Sequence, residues 1–187
     1  KGIISEALKL AHRDSGWRPA DPHKLEEIIA DARKPYEGTE DTATQTDQFR
    51  RVIRYLKRWY DEAIPEDSDD KPSGLAYTIL AIQRCRPSRQ FDGSACDVRA
   101  LIMLARPLAN ASGGIVALKP TPEFEDLLGG LSAGAMANLK NRFKSLYAAL
   151  VGADAQTDPI EACKELKKQF GRDFPVPIKP KTGKKTS

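Results

Sequence analysis

The spacing of hydrophobic residues is helical along nearly the whole chain. In the stretch DPHKLEEIIADAR, Asp21 and Pro22 fit an N-cap and a first helical position, which predicts a helix over 21–33. Between 47 and 64, apolar residues recur at i, i+3, i+4 and i+7, so this segment is predicted to be an amphipathic helix. Its apolar positions are Phe49, Val52, Ile53, Leu56, Trp59 and Ala63.

Capping residues and apolar spacing predict two more helices in the middle of the chain. Ser73 fits the N-cap of a helix that runs to about residue 84. A further helix is predicted from about 93 to 110, and Pro107 in its last turns indicates a kink or an early stop.

The second half of the chain shows the same kind of pattern. The stretch SGGIVALK is predicted to be an extended connector, and Thr121 with Pro122 predicts a short helix through residue 128. Ser132 opens a long helix that is predicted to stop at Gly152. A last helix is predicted between the pair Asp158–Pro159 and Gly171.

These elements predict an all-α fold, a bundle of about six or seven helices over 21–177, followed by a disordered basic tail at 178–187. With 187 residues the chain is long enough for one domain with a hydrophobic core. No strand–glycine-rich turn–helix unit is present, which excludes a Rossmann or P-loop enzyme. No apolar run approaches the ~20 residues of a membrane span, so no membrane partner is expected.

The net charge of +4 is concentrated in the tail. Lys179, Lys181, Lys184 and Lys185 account for it, and residues 1–178 carry equal numbers of cations and anions. A neutral body argues against a specific nucleic-acid partner. Three widely spaced cysteines and two histidines give no zinc pattern, so we expect reduced thiols in a cytoplasmic protein.

The segment RRVIRYLKRWYD, at 50–61, is the strongest candidate for a binding surface. With its apolar residues buried, Arg54, Lys57 and Asp61 fall on one neighbouring helix face. The predicted helix start at KPSG, with Ser73 and free backbone amides, offers donors for a phosphate group beside those cations.

Two readings of this basic face stay open at this point. It is either a phosphate clamp or a solvated face that pairs with the acidic segment 66–70. The other three cations of the segment, Arg50, Arg51 and Arg58, are assigned to the surface. No His, Ser, Cys or carboxylate constellation elsewhere forms a self-sufficient catalytic site.

Four stretches, in order, resemble the helical C-terminal lobe of the cyclic GMP-AMP synthase/DncV-like nucleotidyltransferases, the bacterial signal synthases of CBASS anti-phage systems. The resemblance covers about 12–177. The stretches are GWRPADPHKLEEII, QFRRVIRYLKRWYDEA with KPSGLAYTILA, TPEFEDLLGGLSAGAMANLKNRFKSLYAAL, and DPIEACKELKKQFGRDFPVP.

The resemblance implies roles for four residues in binding nucleoside triphosphates. Lys57 or Arg54 takes the place of a basic residue that contacts the donor triphosphate, and Ser73 takes the place of a contact at the start of the next helix. Leu75 stands where animal relatives use an aromatic residue that stacks on a base, which weakens the implication of base stacking here.

The family's chemistry also needs a G-S loop and three acidic residues that hold two Mg (or Mn) ions with ATP- or GTP-type substrates. This sequence has no G-S…D-x-D stretch, and two-metal phosphoryl transfer requires such carboxylates. We therefore expect residues 1–20 to be a connector from an N-terminal catalytic domain outside this sequence, and this chain alone to be inactive and to bind no metal cofactor. A fragment, a split half and a catalytically empty relative are all consistent with that expectation.

An alternative function is a non-catalytic helical domain that docks a catalytic partner or an E1/E2-like conjugating enzyme. In many CBASS operons such an enzyme captures the extreme C-terminus of the synthase. The tail PIKPKTGKKTS is suited to that role, although a lysine-rich terminus is also an ordinary solvated end.

Overall fold

Six α-helices make up most of the part of the chain that the structure describes. The structure, a computed structural model, describes residues 9–12, 16–19, 22–62, 64, 71–121 and 124–178, with side chains from 22 onward. The helices are α1 (Pro22–Arg33), α2 (Gln48–Asp61), α3 (Gly74–Arg84), α4 (Asp97–Ala109), α5 (Ala133–Asp154) and α6 (Pro159–Phe170). Strands β1 (Lys9–His12) and β2 (Gly16–Pro19) form an antiparallel hairpin before them. The predicted all-α bundle is confirmed, with this hairpin as an addition.

Side-chain caps fix four of the helix starts where the sequence predicted them. Asp47, Ser73, Ser132 and Asp158 each accept a hydrogen bond from a backbone amide two or three residues further on. Because these side chains satisfy amides that have no partner within the helix, they mark the starts locally. Gly171, with φ of +86°, ends α6 as predicted.

Two predicted boundaries in the second half of the chain are wrong. Helix α5 continues past Gly152 to Asp154, because the buried Leu150 and Ala153 hold its last turns on the core and outweigh the small helix cost of a glycine. Helix α4 starts at Asp97 rather than at 93, and it runs through the exposed Pro107 to the buried Ala109.

The helix predicted over 121–128 is also wrong where the structure describes it. Leu118 and Asp126 form an isolated antiparallel bridge, and the Lys119 amide donates to the Glu125 carbonyl over 2.8 Å. The Asp126 carboxylate accepts from the Ala117 amide, nine residues earlier, over 2.9 Å. Contacts between residues 117–119 and 125–126 therefore override the local capping signal. The predicted extended connector 112–119 contains Leu118, one partner of this bridge.

Helix α2 lies at the centre of the fold. It packs against α3, α4 and α6, while α4 packs along α5 and α5 along α6. Its fully buried residues are Gln48, Phe49, Val52, Leu56, Trp59 and Tyr60. Helix α1 is different, because none of its residues is fully buried and it packs chiefly on the 3-10 turn that follows it at Lys34–Tyr36.

Of the three cations assigned to the surface, Arg51 is largely buried, whereas Arg58 is exposed as predicted but also makes a contact between helices. Arg51 is paired with Asp97, with 2.7 Å between Nε and Oδ2, and its side chain is only 14% exposed. Arg58 donates to the Phe170 carbonyl over 3.1 Å and so ties α2 to the end of α6. The third, Arg50, is exposed as predicted.

The three cysteines are free, as predicted, with Cys85 buried and Cys96 and Cys163 half-buried. The acidic segment 66–70 and the tail from 179 lie outside the described residues, so the predictions made for them are not addressed by the structure. Ala63 of the predicted stripe also lies outside.

Candidate functional site

Lys57 lies directly over the first residue of α3. Its Cε and Nζ atoms are 3.2 and 3.5 Å from the point that a Cβ on residue 74 would occupy. Residue 74 is a glycine, so the space that a side chain would fill is taken by the lysine. The structure therefore brings Lys57 of α2 and the start of α3 together, as the sequence predicted.

The start of α3 presents backbone donors beside this ammonium group. Ser73 Oγ accepts from the Ala76 amide over 3.3 Å, and no acceptor is recorded among the described residues for the amides of Gly74 and Leu75. Amides at the first turn of a helix have no partner within the helix and carry its partial positive charge. The ammonium group and these amides are therefore positively charged groups at the same helix start.

Arg54 lies one turn before Lys57 on α2. Both side chains are exposed, and within the described part of the chain no ion pair or hydrogen bond is recorded for either. Among the described residues Arg54 makes no hydrogen bond with Ser73, and it shares with Lys57 its position on one face of α2. Leu75 is half-buried beside the Ser73 cap.

Aromatic packing holds α2 and α3 in this arrangement. The rings of Tyr60 and Tyr77 are 4.9 Å apart, and the Arg142 guanidinium lies 4.9 Å from the Trp59 ring and 5.3 Å from the Tyr60 ring. Burial raises the pKa of Tyr77 far above its ordinary value, so its phenol stays neutral. These contacts connect α2, α3 and α5 directly behind the start of α3.

Sequence reasoning missed one cation at this site, Lys71. Its ammonium group is 2.9 Å from the Asp61 carboxylate in the last turn of α2, and its side chain is only 17% exposed. The signal was present in the KPSG stretch, where a lysine stands two residues before the cap. Its pairing with Asp61 depends on the loop between them and is not visible in residue spacing.

The described residues do not fit a two-metal centre. Among them no group of three or more His, Cys, Asp or Glu side chains could hold a metal ion. Also within this part of the chain, every helix is too short or too polar to cross a membrane.

No protein-family model and no curated protein matches this chain. Solved structures do match. The chain is similar to Escherichia coli DncV with 3′-deoxy GTP bound, at 20% identity and a TM-score of 0.59, over 88% of this chain and 42% of that one.

Two structures from Vibrio cholerae are similar to the same extent. One is the DncV cyclic AMP-GMP synthase with a linear intermediate, at 19% identity and a TM-score of 0.61, over 94% of this chain and 43% of that one. The other is a mutant di-nucleotide cyclase (DncV) in complex with ATP, GTP and 5MTHFGLU2, at 19% identity and a TM-score of 0.62, over 91% and 42%.

The likeness confirms, at the level of the fold, the resemblance carried by the four sequence stretches. The chain spans about two fifths of the length of these structures.

Proposed function

We propose, on the premise of a fold shared with part of the DncV nucleotidyltransferases, that this chain is the C-terminal helical lobe of a cyclic di- or oligonucleotide synthase of anti-phage signalling. In this role it forms one wall of a cytoplasmic nucleotide site and contributes contacts to a nucleoside triphosphate. Two of the matched structures are complexes with ATP and GTP or with a linear intermediate, which supports a ligand of this class.

The observation that carries the proposal is the position of Lys57 over the glycine that starts α3. A phosphate group placed there accepts from the ammonium group and from the amides of Gly74 and Leu75. Arg54 is a second exposed cation on the same helix, one turn away. Charge-assisted hydrogen bonds of this kind are about twice as strong as neutral ones.

The remaining two residues are assigned by their positions near the cap. Ser73 already accepts from the Ala76 amide, and its hydroxyl hydrogen is free to donate to a phosphate or base. Leu75 offers an apolar contact rather than an aromatic stacking surface.

The chain's proposed contribution is binding. Mg²⁺ or Mn²⁺ would be held by carboxylates of an N-terminal catalytic half, since the described residues do not fit such a centre. Residues 1–20 are proposed to connect to that half.

Isothermal titration of the chain with ATP tests the proposal. Lys57→Ala is expected to weaken binding about fivefold to thirtyfold, because a charge-assisted contact is worth roughly 1–2 kcal/mol. Arg50→Ala is the matched control, since it removes an exposed cation from the same helix, beside Asp47. Equal affinities for wild type, Lys57→Ala and Arg50→Ala would contradict a phosphate role for this face.

A second candidate, a non-catalytic interaction domain, is supported by the face of α1 that the described residues cover only in part. Ile28 and Ala32 line an apolar groove of about 310 Å³ with Pro35 and with Ile82 and Pro87 near the end of α3. A domain that only docks partners would bind ATP no better than the Lys57→Ala variant does, so the same titration separates the two candidates. Conjugation of the tail stays a prediction.

A further inference from the structure

The ion pair between Asp61 and Lys71 lies at the edge of the proposed phosphate site. The Lys71 side chain is largely buried at 17% exposed, whereas Asp61 is 63% exposed, and the charged atoms are 2.9 Å apart. Lys71 leads through the buried Pro72 into the Ser73 cap. The pair therefore joins the last turn of α2 to the residues that begin α3.

The same pair is also close to Lys57. Asp61 follows Lys57 by four residues on α2, a spacing that puts their Cβ atoms about 5–6 Å apart on one face of the helix. Although Lys57 is within reach of this carboxylate, the recorded partner of Asp61 is Lys71. Arg54 and Lys57 lie on α2, and Lys71 lies two residues before the Ser73 cap. Of these three cations, Lys71 is paired with a carboxylate, that of Asp61.

We propose that Lys71 is a third cation of the phosphate site. In the absence of ligand it pairs with Asp61, and a bound phosphate group competes with the Asp61 carboxylate for its ammonium group. This inference rests on the proposed function, because it adds a residue and a regulating charge to the same site. The ligand chemistry is the terminal phosphate of a nucleoside triphosphate. A diphosphate is one phosphate group shorter and would gain less from the third cation.

The electrostatic role and a merely structural role predict opposite signs for one substitution. If the pair only anchors the loop, Asp61→Asn loosens the start of α3 and weakens nucleotide binding. If Asp61 competes with phosphate, Asp61→Asn releases Lys71, removes a repelling charge and tightens binding.

Titration of the full chain with ATP and with ADP, at fixed ionic strength, tests the proposal. Asp61→Asn is expected to tighten ATP binding about threefold to tenfold and ADP binding less, and Lys71→Met is expected to weaken ATP binding by a similar factor. In the Lys71→Met background, Asp61→Asn is expected to raise ATP affinity by no more than about twofold, since the Lys71 ammonium group that it would release is absent. Lys71→Arg is expected to retain wild-type affinity, because it keeps the charge.

The control for charge removal is Asp154→Asn, which takes a carboxylate from the ion pair with Arg99 at the end of α5 and should change ATP affinity by less than about twofold. Weaker or unchanged ATP binding in Asp61→Asn, with wild-type binding that still depends on Lys57, would overturn this inference and leave the proposed function standing. If Lys57→Ala leaves ATP affinity at the wild-type value, both this inference and the proposed function would be overturned.

Discussion

At the residue scale, position 74 decides where the Lys57 side chain can lie. A Cβ there would meet Lys57 Cε at 3.2 Å, a distance at which the lysine must shift, and a larger side chain would take the space altogether. Glycine at this position thus leaves room for the Lys57 side chain over the start of α3.

Gly74→Val is therefore expected to weaken ATP binding about threefold or more, because the ammonium group is pushed off the first turn of α3. Gly134→Val is the matched control: Gly134 also follows a serine cap, and its nearest neighbour is Ser132 Oγ at 3.9 Å. Binding measured by titration and melting temperatures measured on both variants separate loss of the site from loss of the fold. Unchanged ATP affinity in Gly74→Val would show that the position of Lys57 does not matter.

Cations on α2 also differ in what they contribute to stability. Arg51 pairs with Asp97 and donates to the carbonyl oxygens of Thr39 and Thr46, and hydrogen bonding to Asp97 raises the pKa of Arg51. Arg54 has no recorded partner among the described residues.

Arg51→Ala is expected to lower the free energy of unfolding by about 2–3 kcal/mol, since it removes the charged partner of Asp97 and the donor to the Thr39 carbonyl. Arg54→Ala is expected to change it by less than about 0.5 kcal/mol. Urea denaturation measures both free energies of unfolding. Equal losses in the two variants would contradict a structural role for Arg51 that Arg54 does not share.

The sequence could not make this division. Periodicity identifies four buried residues of α2, which are Phe49, Val52, Leu56 and Trp59. It does not rank the five cations that flank them in 50–61. Asp97 lies 46 residues from Arg51, so their pairing depends on the packing of α4 against α2. The pairing of Lys71 with Asp61 was also missed, because residue spacing does not show which cation a carboxylate contacts.

At the scale of elements, the helices differ in how firmly they are held. Helices α4 and α5 bury several residues each against one another, whereas α1 buries none and keeps Leu25, Ile29 and Ala32 only half-covered. The free energy of local opening is higher for a segment that buries more apolar side chains.

Hydrogen exchange followed by mass spectrometry is expected to show the α1 amides exchanging at least about tenfold faster than those of α4 and α5. Comparable protection in all three helices would mean that α1 is anchored by contacts that the described residues do not show.

Element boundaries were predictable where the signal is local. The caps at Ser73, Ser132 and Asp158 were visible in the sequence because each satisfies an amide within three residues. The helix predicted over 121–128 is wrong because the Asp126 carboxylate accepts a hydrogen bond from the Ala117 amide, nine residues earlier. Local capping rules carry no information about such contacts.

At the scale of the whole molecule, charge separates the body from the tail. Residues 1–178 carry 26 cations and 26 anions, and four further lysines lie in the last nine residues. A neutral body with two exposed cations on α2 favours a small anionic ligand over a nucleic-acid strand.

Removal of residues 179–187 is expected to abolish any salt-sensitive binding of DNA, because the four lysines of the tail account for the whole net charge. ATP affinity is expected to change by less than about twofold. Fluorescence anisotropy with labelled DNA at several salt concentrations, alongside the ATP titration, measures both. DNA binding that survives the truncation with a steep salt dependence would point to a basic surface on the body.

The central claim is that a triphosphate binds where Lys57 meets the start of α3. Amide chemical-shift mapping of the ¹⁵N-labelled chain during ATP titration tests it most directly, since it locates the ligand without any substitution. The largest shifts are predicted at the amides of Gly74, Leu75 and Ala76 and along 54–58. Shifts that saturate elsewhere, or none at these amides at millimolar ATP, would contradict the claim.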